Sequence, residues 1–319
     1  MLENTLQRVD VVGVGVNAVD TLVRLPRFPA SDSKLEFSDS AVMPGGQVAS
    51  AMIACQKWGL STRYVGKVGD DEYGELHRAE FARAGVEAHL IRTENCASQS
   101  SFILVDQSTG ERTVLWKRDE RVALRPEDLR REWITDARAL LVDGHDTEAA
   151  ARAARWACEA GIPVTADLDN LYPGVEALLE DVNSIVSSKE FPERLTGEKN
   201  LLKSLPLVQQ KFKSRLAAAT LGRDGVLAWD GSSFTYSPAI QVDAVDTTGA
   251  GDVFHAAFVY AQLEGLSLEE QLSFSCAAAG LNCTAVGARG HIASLEEIRK
   301  LMREGSTHPE IYAARKFAI

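Results

Sequence analysis

The segment Asp246-Thr247-Thr248-Gly249-Ala250-Gly251-Asp252 joins small residues and two carboxylates directly to a run with helical periodicity. Val253, Phe254, Ala257, Phe258 and Ala261 recur at the spacing of one helix face, and Gly265 suits the far end. Gly249, Ala250 and Gly251 therefore fall at a helix N-terminus, where unpaired N–H groups and the positive end of the helix dipole make an anion site. An acid in a first turn ordinarily does no more than complement that dipole. The glycines ahead of Asp252 point further: a carboxylate beside an anion hole can take a proton from a hydroxyl while the hole holds the phosphoryl group that the hydroxyl attacks.

Pro44-Gly45-Gly46-Gln47-Val48-Ala49-Ser50-Ala51 is a second paired-glycine segment ahead of a helix, striped by Val48, Met52 and Cys55 and ending at Gly59. Taken alone it reads equally as a tight turn. Gly13-Val14-Gly15-Val16-Asn17-Ala18 has the glycine spacing of a dinucleotide fingerprint, with Asp32 near the distance of a ribose-binding acid. That motif needs a helix, and VDTLVRLPRFP, rich in β-branched residues and stopped by Pro26, leaves too little of one. The GxxxxGK[ST] phosphate loop is absent. The five cysteines are odd in number and form no CxxC pair, which argues against a disulfide framework or a zinc cluster. Cys276 and Cys283, seven apart, read as core, and His255, one turn after Asp252, reads as packing against the sheet.

These groups need a scaffold, and the apolar runs indicate one. VDVVGVGV (Val9 to Val16) is a continuous β-branched run of the kind buried on both faces of a parallel sheet. Similar runs lie at Ala139 to Gly144, Ile162 to Leu168, Val182 to Ser188 and Arg215 to Gly222. Between them are helical stretches such as Thr147 to Gly161, closed by Gly161 and followed by Pro163. This alternation predicts an α/β core. Residues 18–43 and 98–118 break the rhythm and read as antiparallel strands outside that sheet, the second pair around the turn Gln107-Ser108-Thr109-Gly110; they predict a small lid inserted in one domain spanning residues 1–319.

Among 319 residues, 45% are hydrophobic and 25% charged, the proportions of a folded globular chain rather than a disordered or fibrous one. The net charge of −11 disfavours nucleic acid as a partner. No run approaches a membrane span and MLENTLQRVD lacks the layout of a secretory signal, so the expected location is cytoplasmic.

DTTGAGDVFHAAFV (Asp246 to Val259) resembles the C-terminal signature of the ribokinase-type, or phosphofructokinase-B, carbohydrate kinases, and GGQVASA resembles their N-terminal one. The resemblance extends over nearly the whole chain. It implies a Rossmann-like three-layer α/β sandwich with a mainly parallel central sheet and a β-sheet lid. The implied activity is phosphorylation of a primary hydroxyl of a small sugar, with ATP and Mg²⁺. Carried over residue by residue, Asp252 is the general base and Gly249, Ala250 and Gly251 the anion hole. Asp20, at the end of the first strand, grips sugar hydroxyls with Gly46, Gln47 and Ser50. Thr220, Gly222 and Gly225 line the ATP site, while Cys283, Gly287 and Ala288 wall the adenine pocket. The resemblance also implies a monovalent cation such as K⁺ at the loop of Asp246 and Thr248.

The chain departs from the family pattern twice. Ser50 stands where many members have Asn, and the usual NxxE places its Asn at Ser188 and its Glu at Phe191, with Glu190 one residue off. A Ser-x-x-apolar version and the loop Pro29-Ala30-Ser31-Asp32-Ser33 resemble the ketohexokinase-like branch, which makes Asp32 a second sugar contact and favours a ketose such as fructose. Nucleoside and phosphosugar kinases share the signatures; Lys117 and Arg118 in the lid are candidates for an anionic group on the latter's substrate. A non-catalytic sugar or nucleotide sensor has no need of a base at the anion hole. Phe37 and Trp116 lie on strands too short to bury them, which predicts a homodimer through the lid.

Overall fold

The computed structural model describes residues 7–108, 112–312 and 314–317. Elements are numbered in chain order. A ten-stranded sheet has the order β14-β13-β12-β11-β10-β9-β8-β1-β4-β5. Its parallel run comprises β1 (Val9–Val14), β4 (Thr62–Gly69), β5 (Glu87–Thr93), β8 (Ala137–Asp143), β9 (Val164–Leu168), β10 (Ser184–Ser188) and β11 (Leu216–Thr220). β12 (Val226–Trp229), β13 (Phe234–Ser237) and β14 (Lys316–Phe317) complete it in antiparallel pairing.

Helices cover both faces, as the continuous apolar strands require. α3 (Arg131–Thr135), α4 (Thr147–Glu159), α5 (Val175–Leu179), α6 (Phe191–Thr196) and α7 (Leu201–Phe212) take one face. α1 (Gln47–Lys57), α2 (Glu72–Ala84), α8 (Ala250–Leu263), α9 (Leu268–Asn282) and α10 (Leu295–Glu304) take the other. Alternate residues of β1 divide between the two layers: Val12 and Val14 join the core under α4, and Val11 joins the core under α1. α4 meets the sheet through Ala149, Ala150, Ala153, Ala154 and Ala157, all buried. None of the described helices is long and apolar enough to cross a membrane.

The lid is a separate sheet of order β3-β2-β6-β7, built from β2 (Ala18–Leu25), β3 (Asp39–Gly45), β6 (Ser100–Asp106) and β7 (Arg112–Lys117). Its strands lie within residues 18–45 and 100–117, and its pairing is mixed. β6 and β7 form the anticipated antiparallel pair, whereas β2 and β6 run parallel because the whole of β4, α2 and β5 intervenes between them. Of the expected turn, Thr109 and Gly110 lie outside the described residues. After Gly15 the chain enters β2 and forms no helix, so the dinucleotide spacing there is a strand-to-strand connection.

Register assigns the two faces of the lid. Asp20 pairs with Ser101 and Ser101 with Trp116, while Leu22 pairs with Ile103, both buried; this face looks onto the core. Thr21, Val42, Phe102 and Leu115 form a row on the opposite face, with Val42, Phe102 and Leu115 exposed. Trp116 therefore stands on Asp20's side, and Phe37 lies in the loop before β3; neither belongs to the open apolar face predicted from their types.

Candidate active site

α8 begins where its sequence predicts, at Ala250, with Gly249 as its N-cap at φ 73°. Only glycine fits there, because a Cβ would strike the Ala288 carbonyl oxygen and the backbone is left-handed. The loop ahead is tied by Asp246, whose Oδ1 accepts the Thr248 N–H at 2.9 Å and the Thr248 hydroxyl at 2.7 Å, and whose Oδ2 accepts the Gly287 N–H at 2.8 Å. Among the described residues, no acceptor pairs with the N–H groups of Gly251 and Asp252, and open space fronts the Gly251 Cα. The anion site is thus formed and accessible.

Asp252 stands half-buried at this terminus. Its carboxyl is raised to about 7, by burial first and by the nearby charge of Asp20 next, against the pull of Arg112 and Arg289. Such a group is poised to accept a proton near neutral pH. Asp20 is buried, its Oδ1 accepting the Ser101 hydroxyl at 2.5 Å, and burial raises its pKa. It lies in β2 of the lid, not at the end of a core strand: the chain leaves the core sheet at Val14 and carries Asp20 over the cleft.

The paired glycines admit this carboxylate. A Cβ on Gly45 would overlap Asp20 Oδ2, and one on Gly46 would lie 2.5 Å from Asn17 Cα. Gln47 opens α1 and donates Nε2 to Asp167 Oδ1 at 3.3 Å, leaving its Oε1 without a protein partner. The Ser50 hydroxyl is engaged by Arg289 Nε at 3.1 Å, so its first role is to hold that guanidinium. Arg289 also donates to the Gly45 carbonyl and pairs with Glu80.

Several expected contacts take other positions. Gly287 and Ala288 pack behind the anion loop and against Met43 and Gly45 of β3. Cys283 is buried at the end of α9 with its thiol pushed up to about 11, and its carbonyl accepts the Val245 and Asp246 N–H groups; it supports the loop from below. Asp32 occupies an exposed loop at φ 54° and hydrogen-bonds nothing in the cleft. Lys117 lies on the outer face of the lid, and Arg118 is held by Asp146. Phe191, at the place of the usual Glu, is fully buried in the core. Thr220 and Gly222 sit at the carboxyl end of β11, Thr220 donating to the Ser187 carbonyl at 3.2 Å and Gly222 facing open space.

The sequence reading missed a set of acids at the carboxyl ends of the central strands. Asp143 ends β8 and accepts the Val16 N–H at 2.6 Å; Asp167 lies in β9, with Asp169 just beyond. Asp167 is buried and held well above the usual carboxylate range by burial and by the charge of Asp252. His255 contributes more than packing: Nδ1 lies 2.7 Å from the Gly251 carbonyl and 3.3 Å from Asp167 Oδ2, and Nε2 lies 3.2 Å from the Val186 carbonyl. The available signal was an acid inside the otherwise apolar run of β9. Together these groups occupy the crevice at the strands' carboxyl ends where open α/β sheets bind ligands.

Three comparisons agree with this geometry. A family model described as pfkB family carbohydrate kinase matches residues 10–294. The chain is similar to the ATP-dependent ribose-1-phosphate kinase of Halopiger xanaduensis, 29% identical over 286 residues covering 88% of this chain and 94% of the relative. It is also similar to the ribokinase of Lactococcus lactis, 27% identical over 312 residues and covering 91% and 96% of the two chains. Among solved structures, a putative ribokinase from Agrobacterium tumefaciens superposes with a TM-score of 0.86 at 29% identity, covering 94% of this chain and 98% of the other. Arabidopsis thaliana ribokinase complexed with ribose and ATP gives 0.74 at 25% identity, covering 93% and 99%.

Proposed function

The chain belongs to the pfkB family of carbohydrate kinases, and on that basis we propose that it transfers the terminal phosphoryl group of ATP to a primary hydroxyl of a small sugar, with Asp252 as general base. The observation that carries this reading is the half-buried Asp252 beside unpaired N–H groups, with Asp20 facing it from the lid. Asp20, Gly46 and the free Oε1 of Gln47 orient the sugar. Asp252 takes the hydroxyl proton, and the Gly249-Ala250-Gly251 terminus receives the negative charge of the phosphoryl group. The lid excludes water that would otherwise consume ATP.

Thr220 and Gly222, on the side of the crevice away from the lid, are proposed to border the nucleotide. Asp167 and Asp169 would hold Mg²⁺ through its waters, and the ion would neutralise phosphate charge when bound. Asp246 is 1% exposed and pairs with no cationic side chain among the described residues. Its charge is met by three hydrogen bonds and by no cation, and a bound K⁺ would neutralise it.

A coupled ADP-release assay over fructose, ribose, 2-keto-3-deoxygluconate, inosine and phosphosugars tests the reading. It fails if no acceptor raises ADP release above the ATP-only rate. kcat/KM for the accepted sugar should rise with pH through about 7, as Asp252 loses its proton.

We further propose a homodimer through the outer lid face. Val42, Phe102 and Leu115 are 54%, 56% and 55% exposed on a four-stranded sheet. A second lid laid across this face would cover it. Light scattering should give about twice 34.6 kDa. Phe102→Glu should yield monomer, whereas Trp116→Glu, on the cleft face, should remain dimeric with a raised sugar KM. A wild-type monomer at micromolar concentration contradicts the proposal.

A further inference from the structure

Three consecutive residues between α9 and α10 join the anion loop to the start of α1. Gly287 donates its N–H to Asp246 Oδ2 at 2.8 Å, and the Ala288 carbonyl lies against Gly249. Arg289, the next residue, spreads its guanidinium over three other elements. Its Nη2 donates to the Gly45 carbonyl at the end of β3 at 3.1 Å, and its Nε donates to Ser50 Oγ in the first turn of α1 at 3.1 Å. Its Nη1 pairs with Glu80 of α2. The two side chains of that pair are only 8% and 12% exposed, and the other Glu80 oxygen lies 3.7 Å from Arg83.

A buried ion pair adds little net stability, so what it holds matters more than the pair itself. Gly45 is wedged between Asp20 Oδ2 and Ala288; Gly46 follows at φ 95° as the N-cap of α1, and Gln47, with its unpartnered Oε1, comes next. A planar fork can reach a carbonyl, a hydroxyl and a carboxylate at once, which the point charge of a lysine cannot. Burial raises the carboxyls of Asp20 and Asp252, and the charge of Arg289 draws both back.

We propose that Arg289, backed by Glu80, is a positioning residue for the acceptor sugar: its guanidinium fixes the paired glycines against Asp20, so that Asp20 and Gln47 meet the sugar in one geometry. The inference rests on the acceptor binding beside Asp20. Neither Arg289 nor Glu80 takes part in the transfer itself.

The test compares wild type, Arg289→Gln, Arg289→Lys, Glu80→Gln and the Glu80→Gln/Arg289→Gln double variant on the best acceptor of the panel, by steady-state kinetics, calorimetric sugar binding and thermal melts. Arg289→Gln should raise sugar KM and Kd at least about tenfold and leave ATP KM within about threefold. It should also move the acidic limb of kcat/KM to higher pH, because Asp252, which faces Asp20, Asp169 and Arg112 as well, loses a cation. A merely loosened fold would rehydrate Asp252 and move the limb the other way. Arg289→Lys keeps the charge and loses the fork, so sugar KM should rise while the limb stays near its wild-type pH. Glu80→Gln should raise sugar KM about three- to tenfold, and the double variant should bind sugar no worse than Arg289→Gln alone, since Glu80 acts only through Arg289. Should Arg289→Gln fail to fold, Arg289→Lys and Glu80→Gln carry the same comparison. Folded variants with lowered melting temperatures but sugar KM and Kd within about threefold of wild type overturn the proposal and leave a structural ion pair. A wild type whose sugar binding depends on Arg289 but which phosphorylates no acceptor sinks the transfer reading alone; one that binds no acceptor sinks both.

Discussion

Asp252→Asn is expected to lower kcat by about 10²- to 10⁴-fold, the usual worth of a positioned general base, while ATP and sugar still bind. Asparagine preserves the shape of the first turn of α8 and leaves the Gly251 N–H in place, so the substitution removes the proton acceptor and little else. Rapid-mix kinetics with calorimetric binding of each substrate checks this. A variant that keeps more than a tenth of wild-type kcat contradicts the role.

The same substitution should also stabilise the fold at alkaline pH. The folded-state pKa of Asp252 is raised from 3.8 to about 7, so between those values the folded state binds the proton more tightly than the unfolded chain. Stability from this group is therefore full below about pH 4 and falls as pH rises through about 7. Asparagine does not titrate. Asp252→Asn should melt above wild type at pH 8, with the gap closing as pH falls towards 4. A lower melting temperature at pH 8 would mark Asp252 as a structural residue instead. Gain of stability with loss of rate is the signature of a site strained for function.

Much of this site was legible because glycine leaves a strong mark. Gly249 must be glycine to clear Ala288, and the resulting Gly-Ala-Gly-Asp run marks both the helix start and the proposed base. The central strands were legible because burial on both faces makes them uniformly apolar. What was missed depends on geometry between distant segments. Asp20 fell within the span read as lid and was yet assigned to the end of the first strand, because nothing local says that β1 ends and the chain crosses to another sheet within four residues. Trp116 could be seen as an apolar residue on a short strand, yet its face follows from pairing with Ser101, and a shift of one residue would reverse it. Gly287 and Ala288 meet Met43 and Gly45 of β3, more than two hundred residues earlier in the chain. Asp167 looked like any polar residue at a strand end until α8 laid Asp252 and His255 beside it.

Asp20→Asn should raise KM for the sugar about 10- to 100-fold and leave KM for ATP within about threefold, since a charge-assisted hydrogen bond contributes about 1.5–3 kcal/mol. The asymmetry follows from place. Asp20 hangs from β2 against Gly45 and Ser101, whereas Thr220 and Gly222 sit at the end of β11, with β10, β9 and β8 between them and β1 in the sheet order. A second readout separates contact from mere support of the lid. Asp20 is the leading charge raising the pKa of Asp252, so neutralising it should move the acidic limb of kcat/KM to lower pH. An unchanged melting temperature is needed beside it, because a loosened lid would rehydrate Asp252 and move the limb the same way. Equal losses for both substrates, with the limb unmoved, would remove Asp20 from the sugar site and leave Gln47 as the nearest remaining hydroxyl partner.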